Sequence, residues 1–216
     1  MKKVILLAAV AVMAVFSANA QGKWYIGTTG VGQSFLTGGA NGGGIGLVGD
    51  YPFMTGFMTT KDYTKYGIAP EIGYNINNAF SVGLGIGVSG ETYNPATGSG
   101  AIKSAMAFGI NPYVRWFAWR KDNFAFYAQG DIQYAAGSQK YEGTSDKGKS
   151  HAFSIGVLPG IAYTFNNHFS MTASFGVLGY SQYANNNTVD GKMKSQKGVF
   201  GLSIDNGLDF GLTYTF

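Results

Sequence analysis

The run Phe80-Ser81-Val82-Gly83-Leu84-Gly85-Ile86-Gly87-Val88-Ser89 decides the fold. Its even positions are apolar and its odd positions are serine or glycine, a period of two that belongs to a strand with two unlike faces. The same parity extends outward in both directions. Ile68, Pro70, Ile72, Tyr74 and Ile76 alternate with Ala69, Glu71, Gly73 and Asn75; Phe108, Ile110, Pro112, Val114 and Trp116 alternate with Gly109, Asn111, Tyr113 and Arg115. Phe124, Phe126, Ala128 and Ile132 oppose Ala125, Tyr127, Gln129 and Asp131, and Phe169, Met171, Ala173 and Phe175 oppose Ser170, Thr172 and Ser174. From Phe200 to Phe216 one face is apolar except at Asn206, and its partner face is built from Gly, Ser, Asp and Thr. No long stretch carries a sustained 3.6-residue rhythm.

Three segments share a plan. Tyr66-Gly67-Ile68-Ala69-Pro70 leads to a turn at Asn77-Asn78, Phe108-Gly109-Ile110-Asn111-Pro112 to Arg120-Lys121-Asp122-Asn123, and Ile155-Gly156-Val157-Leu158-Pro159 to Asn166-Asn167-His168. Asn and Asp tolerate the positive φ of tight turns, so these connections are short. Between them lie longer polar stretches at Gly30 to Asp62, Gly90 to Ser104, Gly137 to Ser150 and Gln182 to Gly198. Short and long connections therefore alternate.

The identity of the second face selects the solvent. A soluble sandwich buries its apolar face and coats the other with charge. Here only 12% of the 216 residues are charged, 45% are hydrophobic, and 34 are glycine. The second face is Gly, Ser, Thr, Asn and Tyr, which suits an interior, so the apolar face meets lipid. A sheet in lipid cannot leave an edge unpaired and must close on itself. Spans of ~10 alternating residues, short turns at one end, long loops at the other and aromatic residues at strand ends mark an outer-membrane barrel.

The expected fold is all-β: an eight-stranded antiparallel transmembrane up-and-down β-barrel, with strands near 23–30, 64–76, 79–90, 105–118, 124–136, 151–165, 169–181 and 198–216. Ile45-Gly46-Leu47-Val48 and Phe53 to Met58 offer an extra hairpin and a ten-strand alternative, but they are shorter than the ~9 residues that a span requires. With both chain ends and the short turns on the periplasmic side, Trp24, Tyr25, Trp116, Trp119, Tyr214 and Phe216 form the expected periplasmic aromatic girdle.

The amino terminus carries an address. Met1-Lys2-Lys3, thirteen apolar residues from Val4 to Phe16 and Ser17-Ala18-Asn19-Ala20 read as a signal peptide over 1–20, cut after Ala20, with the barrel domain over 21–216. Thirteen apolar residues fall short of the ~20 of a spanning helix. Removing Lys2 and Lys3 leaves 13 basic against 11 acidic residues, a net charge of +2. With the mature lysines scattered among polar segments, no nucleic-acid partner is expected. The absence of cysteine removes disulfides, thiolate metal sites, cysteine nucleophiles and a lipoprotein anchor.

Parity turns Glu71, Arg115 and Asp131 inward as a luminal charge cluster. An unpaired buried charge is costly, and a bidentate contact satisfies both partners, so Arg115 is expected to pair with Glu71, Asp131 or both. Asp205 and Asp209 share the inward parity and could join Lys23. Gly83, Gly85, Gly87, Gly201, Gly207 and Gly211 make room in the lumen for Tyr, Gln and Arg chains from opposite strands.

Other motifs carry less. Gly44-Ile45-Gly46-Leu47-Val48-Gly49 matches G-x-G-x-x-G, but no helix signal follows, so it reads as a flexible loop or bulged strand. His151 has Ser150, Ser154 and Asp146 near it in sequence, and His168 lies in a turn; neither has the spacing of a catalytic or metal site. No catalytic residue, metal or cofactor is expected. Lys140, Lys147, Lys149, Lys192, Lys194 and Lys197 fall in the long polar stretches, where they either are solvated or touch the phosphates and acidic sugars of surface glycolipid.

The repeated strand plan, the Pro-x-x-x-Tyr/Trp pattern at Pro70 to Tyr74 and Pro112 to Trp116, the Asn-rich turns and the ending Asp209-Phe210-Gly211-Leu212-Thr213-Tyr214-Thr215-Phe216 resemble the outer-membrane β-barrel domain family common in Bacteroidetes. The resemblance covers nearly the whole mature chain and is similar to the small OmpA and OmpX type barrels. The chain departs from it in the Gly-rich insert Gly38 to Gly49. It implies a bacterial outer-membrane location and an assembly signal in Phe210, Leu212, Tyr214 and Phe216, read by barrel-assembly machinery. It implies little biochemistry. The expected role is structural or interactive, through the wall and the outer loops, with outer-membrane lipid and glycolipid as partners and any extracellular ligand unnamed. A small-solute channel is the alternative, and a lipid-modifying enzyme the second.

Overall fold

A computed structural model describes residues 24–31, 55–59, 63–93, 102–143, 147–175, 177–186, 193–195, 198–203 and 209–216. The expected signal segment 1–20, Lys23, the glycine-rich insert, Asp205 and Gly207 lie outside them. Thirteen strands form one sheet. They are β1 (Trp24–Val31), β2 (Gly56–Thr59), β3 (Tyr63–Ile68), β4 (Pro70–Asn75), β5 (Phe80–Tyr93), β6 (Ile102–Lys121) and β7 (Phe124–Tyr141), then β8 (Lys147–Thr164), β9 (Phe169–Ser174), β10 (Val177–Asn186), β11 (Met193–Ser195), β12 (Val199–Ser203) and β13 (Asp209–Thr215).

These strands make eight staves, since β3 with β4, β9 with β10, and β11 to β13 each follow one line. Every stave pairs antiparallel with its neighbours in the chain, and the last returns to the first where Tyr25 opposes Thr215. The ring is closed. Of the segments that suggested ten strands, 45–48 lies outside the described residues. Gly56 to Thr59 forms β2, which among the described residues pairs with β3 alone and covers the part of that strand beyond the reach of β1.

The turns follow from their residues. Asn77 Oδ1 accepts the backbone N–H of Ala79 and Phe80, at 2.8 and 2.9 Å, and Asn166 Oδ1 repeats this with His168 and Phe169, both at 2.9 Å. In the third short turn Asp122 takes φ 53°, a left-handed conformation that aspartate tolerates.

The faces are inverted relative to a soluble protein. Phe126 is 54% exposed and its chain neighbour Tyr127 is 5% exposed. Buried positions hold Glu71, Arg115, Asp131 and Ser81, while Leu84, Ile86, Phe108, Val114 and Leu212 face out. β6 runs for 20 residues. At ~3.3 Å per residue and ~45° of tilt it rises about 45 Å, well beyond the ~25 Å apolar band of such barrels. Its far end therefore stands clear of the hydrocarbon.

Candidate functional site: the luminal layer

Five neighbouring staves supply the centre of the lumen, and cross-strand register decides who meets whom. Tyr25 on β1 opposes Gly73 on β4, and Tyr113 on β6 opposes Gly83 on β5. A Cβ at Gly73 would overlap the Tyr25 ring, and one at Gly83 the Tyr113 ring. Each tyrosine lies down across a glycine, which lets its hydroxyl reach the barrel axis. There the two hydroxyls meet at 2.8 Å, and the Tyr113 hydroxyl donates to Glu71 Oε2 at 2.9 Å. Glu71 reaches across β5 because its cross-strand neighbour there is Gly85.

Arg115 sits below this contact. Its Nε and Nη2 donate to Gln129 Oε1 at 3.1 and 2.8 Å, and Nη2 lies 4.0 Å from Glu71 Oε2. Its guanidinium lies 5.0 Å from the Tyr113 ring centre and 4.9 Å from that of Tyr127, within cation–π range of both. Arg115 is 6% exposed, so these contacts replace its water.

Of the pairings expected for Arg115, the one with Glu71 forms and the one with Asp131 does not. The Arg115–Glu71 contact is a single long approach, not a bidentate pair. Register explains the missing pair: Arg115 opposes Gln129, whereas Asp131 opposes Tyr113. Asp131 Oδ2 accepts from the side-chain amides of Asn111 and Gln133 at 3.2 and 3.1 Å, while the Gln129 oxygen is taken by Arg115. Asp209 faces the same space and accepts from Thr29 Oγ1 at 3.4 Å. Its expected companions Asp205 and Lys23 lie outside the described residues. Among the described residues these groups line a cavity of ≈40 Å³, room for a few waters. Among the described residues no cluster of His, Asp and Glu could hold a metal ion.

Of the aromatic girdle, Trp116, Trp119 and Phe216 are on the outer face at 48%, 46% and 37% exposure. Trp24 packs on Tyr74 at 4.8 Å, and Tyr214 on Phe169 and Phe216 at 5.0 and 5.3 Å. Tyr25 is the correction. It is 4% exposed and belongs to the lumen, because consecutive residues of a strand cannot share a face. Trp116 and Trp119 do share one, although strict alternation would separate them. A bulge between Phe117 and Trp119 resets the parity and turns Trp119 outward; Phe117, just before it, keeps the inward parity and packs on Tyr127 at 5.9 Å. Arg120 stacks on the Phe117 ring at 3.8 Å. The girdle also takes in Phe124, Tyr163, Phe165 and His168, which sequence reading passed over; His168 stacks on Tyr214 at 5.4 Å. Leu212 points outward with Tyr214 and Phe216, and Phe210 is half-buried on the same parity.

His151 is on the outer face and Ser150 is buried inside, so the wall separates them, and Ser154 follows the inward parity. The partner of His151 is Tyr134, whose hydroxyl lies 2.8 Å from Nδ1. Lys140, Lys147 and Lys149 are not loop residues. They stand on β7 and β8, exposed, with Lys140 opposite Lys147. Lys192 and Lys197 lie outside the described residues, and Lys194 is on β11.

The family model for the outer membrane protein beta-barrel domain matches residues 4–216. No curated protein matches the chain. Among solved structures it is similar to Neisserial surface protein A at 12% identity, over 92% of this chain and 99% of that one, with a TM-score of 0.45. That likeness is too distant to add to the family match. A closed ring with lipid-suited walls and a family match across almost the whole sequence lead to one conclusion: the chain belongs to the outer membrane protein β-barrel domain family.

Proposed function

We propose that this protein is a closed-lumen wall element of the bacterial outer membrane, of the type common in Bacteroidetes, acting through its lipid-facing wall and outer loops rather than by passing solute or by catalysis. The observation that carries this reading is the luminal layer. Tyr25, Glu71, Tyr113, Arg115 and Gln129, from four staves, bond to one another across the axis. An eight-stranded barrel is just wide enough for side chains to fill it, and a layer bonded in this way has no reason to part for water.

The remaining parts of the reading follow from the sequence. Residues 1–20 direct export and are removed after Ala20; Phe210, Leu212, Tyr214 and Phe216 present the terminal strand to the assembly machinery. Outer-membrane lipid and glycolipid are the standing partners, and neither cofactor nor nucleic acid takes part. The test is conductance after reconstitution of the folded protein in planar bilayers. A silent bilayer, with protein incorporation verified, is the expected result. Stable unitary steps would overturn the closed-lumen reading in favour of a small-solute channel.

A further inference from the structure

Lys140, Lys147 and Lys149 stand on the outer wall of β7 and β8, at the end away from the short turns. Directly below them the same wall turns from polar to apolar. Tyr134 and His151 mark the change, joined at 2.8 Å. Beneath lie Phe153, Ile155 and Ile132, exposed at 40%, 46% and 43%. His151 is flanked across both neighbouring strands by Ala136 and Ala184, so the wall is shallow around it. At the same height on the neighbouring strand, Lys103 pairs with Glu142 at 3.2 Å. The patch thus offers positive charge at one height, a hydrogen-bonding ring pair at the next and hydrocarbon contact below. A lipid bearing a phosphate headgroup has the same three layers in the same order.

We propose that this face of β7 and β8 is a docking site for a phosphate-bearing lipid of the outer leaflet. The phosphate is taken by Lys140, Lys147 and Lys149, and the acyl chains run along Phe153 and Ile155. The continuity of the lysines with the apolar wall selects a lipid over a free anion, because a soluble ion has no use for the lower two layers. The site rests on the reading that the short turns face the periplasm and that the apolar wall meets lipid; it does not depend on whether the lumen conducts.

Folded full-length protein reconstituted in equimolar phosphatidylcholine and phosphatidic acid, then examined by native mass spectrometry for retained lipid, tests it. Enrichment of phosphatidic acid is expected. The triple variant K140Q/K147Q/K149Q should lose that enrichment by about fivefold per lysine, since a cation near an anionic surface contributes ~1 kcal/mol. K121Q, at the opposite end of the barrel, should keep it, and inorganic phosphate at matched concentration should not displace the lipid. Equal enrichment in wild type and triple variant, equal loss in K121Q, or displacement by inorganic phosphate would each overturn the site. Heat-modifiable migration on gels checks that every variant is folded. Enrichment in a protein that also conducts would refute the closed lumen and leave the lipid site standing.

Discussion

Toward the short turns the inward positions carry Glu71, Tyr113, Arg115, Tyr127, Gln129 and Asp131; toward the long connections the same wall turns Ser89, Ala105, Ala107, Ala135, Ser150 and Ala152 inward. The two halves are about equally buried, Arg115 at 6% and Ala107 at 6%. They are buried for different reasons. In the lower half Glu71, Tyr113, Arg115, Gln129 and Asp131 are held by named bonds, and removing one leaves its partner in a dry place with an unmet need. An alanine of the upper half asks nothing of its neighbours but space. Burial is common to both kinds of position; the bonded ones of the lower half are specified residue by residue.

The sharpest way to break this comparison is Arg115→Met. It leaves Glu71 buried without its cation and frees Gln129 Oε1, and losing one member of such a cluster costs ~3–5 kcal/mol. Ala107→Ser in the upper half should cost less than ~1 kcal/mol. Urea unfolding of both variants in the same lipid measures the two costs. Similar losses would mean that the lower layer is no more constrained than the upper.

Next in size is Gly73→Ala. The added methyl group would occupy the place of the Tyr25 ring, and overpacking of this kind costs ~1–3 kcal/mol. Gly130→Ala is the control, because a Cβ there meets nothing within 4 Å. It should be neutral or stabilise by ~0.5 kcal/mol through the unfolded chain. Equal destabilisation at both positions would remove the tyrosine-over-glycine contact as the cause.

Much of this was legible in the chain. The period of two in Phe80 to Ser89, against a Gly and Ser second face, requires a closed barrel in lipid without any coordinate, and Asn77 and Asn166 announce their turns. The inward direction of Glu71, Arg115 and Asp131 also follows from parity alone. Their partners do not, because parity assigns a face and not a register. That Arg115 meets Gln129 rather than Asp131 is set by how far β6 has slid along β7. The bulge after Phe117 breaks the parity rule locally and has no signal of its own in Trp116-Phe117-Ala118-Trp119. Tyr25 was misplaced by its adjacency to Trp24, although alternation alone forbids the two from sharing a face. The tyrosine and glycine pairs have a faint signal, since several odd-parity glycines face odd-parity tyrosines one strand away.

A smaller effect is expected from Tyr25→Phe. It removes the hydroxyl that meets Tyr113 at 2.8 Å, but leaves Tyr113 free to donate to Glu71. The loss of one neutral hydrogen bond should cost ~1 kcal/mol in the same unfolding measurement. A cost as large as that of Arg115→Met would mean that the hydroxyl chain, and not the cation, holds the layer together.

Asp131→Asn should do least, and it tests the register argument most directly. The carboxylate accepts from two amides, Asn111 and Gln133, through one oxygen. An asparagine presents an oxygen of the same shape to the same two donors, while removing a buried charge that has no direct cation partner. The expected change is within ~1 kcal/mol of wild type. Arg115→Met and Asp131→Asn should then combine almost additively, to within ~0.5 kcal/mol, because the two side chains bond to different partners. Arg115→Met with Glu71→Gln should fall well short of additive, since each removes what the other lacks. A coupling between positions 115 and 131 as strong as that between 115 and 71 would place Asp131 in direct contact with the guanidinium and overturn the pairing of Arg115 with Gln129.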